Sequence, residues 1–531
     1  MADFAPPPLR RDQMVLFSEK LDHIIGPRHA VRLFDEILGQ IDWSGWERRY
    51  DLRRGQPPIH PRVLAGVILY GILCRIRSSR ALEEALEIRS DFRWLAEGRS
   101  IDHTTLCKFR QSHQAELKDL FVQIGLVARE LGHLTLTTLA FDGTRIRANN
   151  RKSGTRTAAE LKQQRAELQA LYLELEEKLA ARDAAEDEQF GDQNGHELEQ
   201  ELAAVTDRRE QVNAALLELA RLEEAEQTVP QRIPVTDPES RLAPNKEGGF
   251  APNYTPLATV DVESGLIVSA DVNAETDEAG HLLDAVQDVR ESLGDDSAGT
   301  ETLADGMMAT GENLTACAEQ GIELYSPLSQ SSDADNPAVR EDPSQPVPTA
   351  QLDQLPTKTT QHKDGRTTTQ LSKEAFVYDE QNDCYWCPAG EKLEFASKTK
   401  DRSKGRHYER FRYKSDPAQC AECPLAQLCL SKNGKRRNIT HTEHESARRA
   451  HAKKMQQPES QAMYARRRHP GERPFALIKQ HFGARQFLTR GLQNVRQEWL
   501  WLAGAFNLHR LISLICSGVD PPAWCKSLQS S

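Results

Sequence analysis

The chain is poor in aromatic and apolar residues, which make up 6% and 38% of its 531 residues. No run of apolar residues looks long enough to span a bilayer. The first residues, MADFAPPPLRRDQ, lack the basic, apolar and small-residue order of a signal peptide. We therefore expect a cytoplasmic protein without a membrane partner, folded into three or four domains because the chain is too long for one core.

The chain also lacks an overall positive charge, since its formal net charge is −11. The charges are segregated, however. Residues 390–515 contain 26 lysines and arginines against 11 acids, whereas residues 156–240 contain 9 against 21. A basic C-terminal part beside an acidic insert suits a protein that binds an anionic polymer through one surface. The net charge therefore does not exclude nucleic acid as a partner.

One acid, Glu472, stands inside a basic run at residues 461–491. Arg468, Glu472 and Lys479 follow at i, i+4 and i+11, and eleven residues of an α-helix return almost to the same face. Because proline is tolerated in a first turn, Pro474 predicts a helix that begins near Glu472. Two interpretations are open: a site that binds a metal ion and phosphates, or an exposed helix whose Glu472 pairs with a cation.

Two further acids follow predicted strands. Residues 134–141 alternate as a strand and precede Asp142, and a short strand at 300–304 precedes Asp305. Residues 254–273 predict two strands around a turn, so the order of elements indicates a mixed α/β fold. Carboxylates at the ends of separate strands can meet at one edge of a sheet and bind divalent cations. The alternative for each aspartate, which precedes a glycine, is an ordinary turn.

Three other segments have distinct compositions. Residues 12–130 predict a helical domain, either a helix-turn-helix-like DNA-binding module or a plain bundle with solvated cations. Residues 157–226 repeat leucine at heptad-compatible spacing and predict an inserted antiparallel coiled-coil hairpin. Residues 329–372 are rich in Ser, Asp, Pro, Thr and Gln and predict a disordered linker. The cations of the first segment that would contact DNA are Arg75, Arg77, Arg80, Lys108 and Arg110.

Cysteines cluster in a small insert at residues 373–439. In a cytosolic protein, clustered cysteines favour metal ligation over disulfides. Five thiols are available for the four positions of a tetrahedral zinc site, and the alternative is a set of reduced thiols without metal. They are Cys384, Cys387, Cys420, Cys423 and Cys429.

Together these segments resemble the bacterial insertion-sequence DDE transposases, in the group typified by insertion sequence 1182. The resemblance covers most of the chain and implies an RNase H-like mixed-sheet core at residues 131–328 and 440–515, with the N-terminal helical domain, the hairpin and the Cys-rich insert added to it. The segments that carry it are HPRVLAGVILYGI, DHTTLCKFR, FDGTRIRANN, TDPESRLAPNKEGGFAPNYTPLATVD, TLADGMMATGENL and ERPFALIKQHFGARQFLTRGLQNVRQEWLWLAGAFNLHRL.

The resemblance implies that Asp142, Asp305 and Glu472 bind Mg²⁺ or Mn²⁺ and catalyse cleavage and strand transfer at the element's ends by a two-metal mechanism. The partners would be terminal inverted repeats and target DNA. The protein would act as a homodimer on paired ends, in the bacterial cytoplasm and associated with the nucleoid. The implied DNA-binding side chains are Tyr464, Arg468, Lys479, Arg485 and Arg490.

The family's cysteine pattern selects four of the five clustered thiols as structural zinc ligands and omits Cys384. The selected residues are Cys387, Cys420, Cys423 and Cys429.

Two departures from the family's pattern keep other functions open. Tyr464 stands one residue further from Arg468 than the family's Tyr–Arg–Glu–Lys signature, and the residues after Asp305 are Gly-Met-Met instead of Ala-Gly-Tyr. One alternative is a catalytically inactive or domesticated DNA-binding protein of transposase origin. Another is a general RNase H-like nuclease that uses the same acids without a preference for terminal repeats.

Overall fold

The computed structural model describes most of the chain. The described residues are 20–50, 57–186, 195–244, 249–275, 277–328, 336–361, 367–403 and 406–517.

Helices account for much of the described chain. The α-helices are α1 (Ala30–Gly39), α2 (Ser44–Glu47), α3 (Pro61–Leu73), α4 (Ser79–Ile88), α5 (Ser90–Leu95), α6 (His103–Ser112), α7 (Gln114–Glu130), α8 (Ala158–Glu186), α9 (Gly195–Glu224), α10 (Leu282–Leu293), α11 (Gly311–Glu319), α12 (Pro417–Ala421), α13 (Ala426–Cys429), α14 (Glu445–Met455), α15 (Pro458–Ala465), α16 (Arg468–Gln480) and α17 (Leu492–Cys516).

Strands occur only after residue 137 in the described ranges. They are β1 (Thr138–Gly143), β2 (Ile146–Arg147), β3 (Thr155–Arg156), β4 (Ile233–Pro234), β5 (Arg241–Pro244), β6 (Phe250–Asp261), β7 (Ile267–Asn273), β8 (Glu301–Leu303), β9 (Glu323–Tyr325), β10 (Thr357–Gln361), β11 (Thr367–Leu371), β12 (Val377–Asp379), β13 (Cys384–Trp386), β14 (Lys392–Ser403), β15 (Arg406–Ser415) and β16 (Asn438–Thr442).

The chain divides into two compact units. The helical unit consists of residues 1–134, 476–484 and 497–531, and the mixed unit consists of residues 135–475 and 485–496. The order of strands and helices in the mixed unit confirms the predicted α/β class.

The helical unit has a core built around α3, which is buried along nearly all its length. Pro61 opens this helix, where its missing N–H costs nothing, and the His60 side chain accepts a hydrogen bond from the Arg62 amide. Gly504 of α17 lies between Leu69 of α3 and Ile124 of α7, because a Cβ there would be 3.7 and 3.8 Å from their side chains. The apolar C-terminal helix thus buries in a core, as its composition predicts.

Among the described residues, α17 is long and apolar enough to cross a membrane by length and composition alone. The sequence-based expectation that no such run exists is therefore wrong for this helix. Its most apolar window is 72% buried inside the protein, and a mostly buried core helix passes the same test.

Cations predicted as DNA contacts in the helical unit have partners within that unit. Arg77 forms an ion pair of 2.6 Å with Glu498 and donates to the Gly483 carbonyl at 3.0 Å. Arg110 donates to the Arg77 carbonyl at 2.7 Å. These two arginines therefore hold the unit together, whereas Arg80 and Lys108 are exposed.

The main sheet of the mixed unit has the order β7-β6-β1-β8-β9 through its centre. β1 pairs antiparallel with β6 and parallel with β8, and β8 pairs parallel with β9. The two strands predicted at residues 254–273 pair antiparallel as β6 and β7. All four residues from Thr138 to Phe141 are buried, because β1 is central and covered on both faces.

An apolar layer between this sheet and α10 and α11 fixes the sheet's position. Phe141 of β1 and Leu257 of β6 share one buried cluster with Val286 of α10, Met308 and Leu314 of α11. This packing places the loop after β8 beside the end of β1.

The segment between β3 and β4 consists of two long helices, α8 and α9. Their apolar residues form one cluster, and Arg209 of α9 lies over the ring of Tyr172 of α8. Near its base, Arg241 forms a buried ion pair of 2.7 Å with Glu218. The buried members of the cluster are Leu161, Leu168, Leu175, Val205, Val212, Ala215, Leu219 and Ile233.

The Cys-rich insert forms a five-stranded antiparallel sheet in the order β12-β13-β14-β15-β16. The prediction of a disordered linker at residues 329–372 is wrong for the described residues 336–361 and 367–372. Ala338, Val347 and Leu355 are buried in the core of this sheet domain, and the Val347 amide donates to the Pro388 carbonyl at 2.8 Å. A few apolar side chains at wide spacing anchor a segment whose average composition is polar. The predicted linker residues 329–335 and 362–366 lie outside the described residues.

Candidate active site

Two carboxylates meet at one edge of the main sheet. Asp142 lies in the last turn of pleat of β1, where it pairs with Ala258 of β6 and accepts a hydrogen bond of 2.9 Å from the Gly143 amide. Asp305 follows β8, the parallel neighbour of β1. Because parallel neighbours end at the same edge of a sheet, the two acids lie close together. Asp142 is therefore a strand residue, not part of a turn.

A single arginine connects these two acids. Nη2 of Arg467 lies 3.1 Å from Oδ1 of Asp142 and 3.9 Å from Oδ2 of Asp305. The Arg467 side chain is 12% exposed and the Asp142 side chain 16%, whereas that of Asp305 is 55% exposed. Nε of Arg467 is buried and has no hydrogen-bond partner among the described residues. One positive nitrogen thus stands within ion-pair distance of both carboxylates.

A third acid, Glu278, lies against the same strand end. A Cβ on Gly143 would be 2.4 Å from its Oε2 atom, so the Glu278 carboxylate rests on the backbone that follows Asp142. Burial, followed by the charge of Asp142, raises the pKa of Glu278 to about 7. No sequence motif indicated this residue.

Glu472, the predicted third ligand, is exposed and forms no ion pair in the described part of the chain. The residue of α16 that faces Asp142 is Gly471, whose Cβ would be 3.7 Å from Asp142 Oδ2. The structure brings Asp142 and Asp305 together and leaves Glu472 at the neighbouring helix position.

The predicted start of the helix near Glu472 is wrong, because α16 begins at Arg468 and includes Pro474 in its interior. Pro474 forgoes a hydrogen bond to the carbonyl of residue 470, a loss that its own burial helps to offset. A two-residue turn, 466–467, separates α15 from α16 and carries Arg467 to the acids.

The other predicted DNA-binding residues lie on separate elements. Tyr464 is on α15 and Arg468 opens α16, so the two do not share a helix. Arg485 is exposed, and Nε of Arg490 donates to the Asn149 carbonyl at 2.8 Å. Lys479, in the last turn of α16, belongs to the helical unit.

Four of the five clustered cysteines share one environment. Burial raises the pKa of Cys429 to about 12, and the thiols of Cys387, Cys420 and Cys423 add to that rise. The groups that act on Cys384 include none of these four thiols. Within the described ranges, no three His, Cys, Asp or Glu side chains are arranged as a metal site, at the cysteines or at the acids.

Sequence reasoning missed two residues of the acidic site. Arg467 belongs to the basic run, but nothing in that run distinguishes it from Arg466 and Arg468. Glu278 lies between two predicted elements, and its place beside Asp142 depends on the path of the chain from β7 to α10.

Two family models match the chain. One, described as "Transposase DDE domain", matches residues 386–512, and the other, "Transposase domain (DUF772)", matches residues 19–112. The chain belongs to the insertion-sequence DDE transposases. The pairing of the two domains is consistent with the group typified by insertion sequence 1182. No curated protein matches the chain.

Membership identifies the protein as a DNA transposase, in a family whose members cut and join DNA and generally use divalent metal ions. The first match contains Glu472 and the four cysteines, and the second covers most of the helical unit. Asp142 and Asp305 lie outside both matches, so their assignment depends on the geometry at the sheet edge.

Proposed function

We propose that the transposase cleaves the ends of its element and joins them to target DNA through a two-metal site of Asp142, Asp305 and Glu472. The observation that carries the proposal is the meeting of Asp142 and Asp305 around Arg467. The sheet order supports an RNase H-like core, since three strands in antiparallel succession are followed by two that run parallel to the first.

The residues present fit a divalent metal. Carboxylate oxygens are the donors that Mg²⁺ and Mn²⁺ prefer, and a cationic nitrogen of Arg467 already stands within ion-pair distance of both aspartates. When bound, a metal pair supplies a nucleophile at neutral pH and stabilises the leaving oxygen. The rigid strand β1 holds Asp142, and the packing of Met308 and Leu314 holds the loop that carries Asp305.

The DNA backbone would be bound by cations around these acids, with Arg468, Lys479, Arg485 and Tyr464 contacting phosphates. Arg490, anchored to Asn149, would present only its outer nitrogens. A cleft of about 670 Å³ begins at Ala309, four residues after Asp305, and could receive part of the strand. Its cationic lining residues are Lys373, Arg410 and Arg448.

The test is an assay of the purified transposase with Mg²⁺ on a linear DNA that carries the element's terminal inverted repeats. We expect strand breaks at the repeat ends and joined products in a second DNA. Binding without any product would favour an inactive DNA-binding protein, for which the residues after Asp305 are the argument. Equal cutting of a DNA with scrambled ends would favour a general nuclease. The protein would work as a homodimer on paired ends, in the cytoplasm beside the nucleoid.

We also propose a structural zinc ion held by Cys387, Cys420, Cys423 and Cys429. The shared environment of the four thiols supports it, and deprotonation by zinc would overcome the burial that raises the pKa of Cys429. Metal analysis of the purified protein should find about one zinc per chain. Cys423→Ser should lose it, whereas Cys384→Ser should keep it. Equal zinc contents in the two variants would contradict this set of ligands.

A further inference from the structure

Glu278 is held at the acidic site by its backbone. It directly precedes a 3₁₀ turn, Ala279–His281, that leads into α10. The Ala279 carbonyl accepts a hydrogen bond of 2.9 Å from the buried Asn313 side chain of α11, and the Ala279 amide donates to Asp277 Oδ1 at 3.2 Å. The turn is thus tied to the helix that follows Asp305, and both carboxylates move with one part of the fold.

The surroundings of the Glu278 carboxylate are charged. Asp142 and Asp305 repel it, and Arg145 and Arg467 attract it. Its side chain forms no hydrogen bond or ion pair within the described residues. A carboxylate removed from water beside two others is unfavourable unless a cation compensates. Arg467 is already engaged with the two aspartates, so the cluster has more negative charge than its internal cation balances.

The backbone beside Asp142 is shaped to admit this carboxylate. A Cβ on Gly143 would be 2.4 Å from Oε2 and 3.0 Å from Oε1 of Glu278. Gly143 lies in β1, paired with Leu257, so a turn does not explain the glycine. The space left by its missing side chain is occupied by the end of Glu278.

We propose that Glu278 contributes a carboxylate to the divalent metal site of the transposase, together with Asp142 and Asp305. The inference rests on the proposed function, and it adds a residue that neither the sequence motifs nor the family matches assign. It also explains why the helix that carries Glu472 contacts Asp142 through Gly471: the described fold already supplies a third carboxylate from another element.

The test is binding of Mn²⁺ to the full-length protein, measured by titration calorimetry without DNA, so that it does not depend on activity. Glu278→Gln, which keeps the size of the side chain, should weaken Mn²⁺ binding about tenfold or more. Glu291→Gln is the matched control, because Glu291 is exposed near the end of α10 and should leave binding unchanged. Asp142→Asn should weaken binding strongly.

Two outcomes separate the inference from the proposed function. Unchanged binding in Glu278→Gln with weakened binding in Asp142→Asn would overturn the role of Glu278 and leave the aspartate site standing. Unchanged binding in both would overturn both proposals.

Gly143→Ala provides a second route if Glu278→Gln is unstable. The added methyl group would push the flexible end of Glu278 away without changing any charge, and Mn²⁺ binding should weaken. Made in a Glu278→Gln background, the same change should have little additional effect, because the two changes act on one contact. Mn²⁺ binding that survives Gly143→Ala unaltered would contradict the role of Glu278.

Discussion

Asp142→Asn is expected to reduce strand cleavage at the element's ends by on the order of 10³-fold or more, with DNA binding retained. The amide keeps the size of the side chain and can still accept the hydrogen bond from the Gly143 amide. It removes the negative charge that would bind the metal and that pairs with Arg467 in the structure. Binding should persist because affinity for DNA comes mainly from contacts to phosphates. Cleavage would be measured with Mg²⁺ on an end-labelled repeat, and binding by a mobility shift.

A matched control is Asp271→Asn on β7. It removes one carboxylate from the same sheet, where Asp271 forms an exposed ion pair of 2.8 Å with Arg496. Exposed pairs contribute little to stability, so cleavage should stay near the wild-type rate. Asp305→Asn should match Asp142→Asn. If Asp142→Asn cleaved within tenfold of wild type, the aspartate pair would not be the catalytic site.

The second large effect is expected in the Cys-rich sheet domain, where Gly390→Ala should destabilise the protein by about 3 kcal/mol or more. Gly390 follows Cys387 in a tight turn and has a φ of +82°. A Cβ there would be 2.4 Å from the Ser344 carbonyl oxygen. Both obstacles involve backbone, which cannot move as a side-chain end can. The midpoint of thermal unfolding would report the loss.

Gly294→Ala separates the two causes. Gly294 ends α10 with a φ of +63°, but nothing lies within 4 Å of a Cβ at that position. This variant should therefore suffer only the strain of a left-handed backbone, about 1–2 kcal/mol. Equal losses in the two variants would mean that the contact between Gly390 and the 344–346 segment does not matter.

Much of the sheet could be predicted from the sequence, because its strands have local signatures. The strands at 254–273 and the strand before Asp142 are apolar and bounded by turn residues. The acid pair followed from the topology rule that parallel strands end at one edge. The limits of β1 were harder to predict, since burial on both faces removes the alternation that marks a strand's end.

What the sequence left out depends on contacts between distant segments. Arg467 reaches the acids because a two-residue turn separates α15 from α16, whereas Pro474 suggested a later start for the second helix. Glu278 reaches them only through the packing of the turn before α10 against α11. The ordered segment around Val347 was hidden by its polar neighbours, since composition averages over a window and a single buried side chain does not.

The guanidinium of Arg467 makes the assembly of the aspartate pair independent of metal supply. Newly synthesised protein can fold with its acids in register, because their mutual repulsion is already compensated from within. Metal entry then becomes an exchange of one cation for another, so the measured affinity is lower than the carboxylates alone would give. The arginine released by that exchange would carry an uncommitted positive charge at the point where a scissile phosphate arrives.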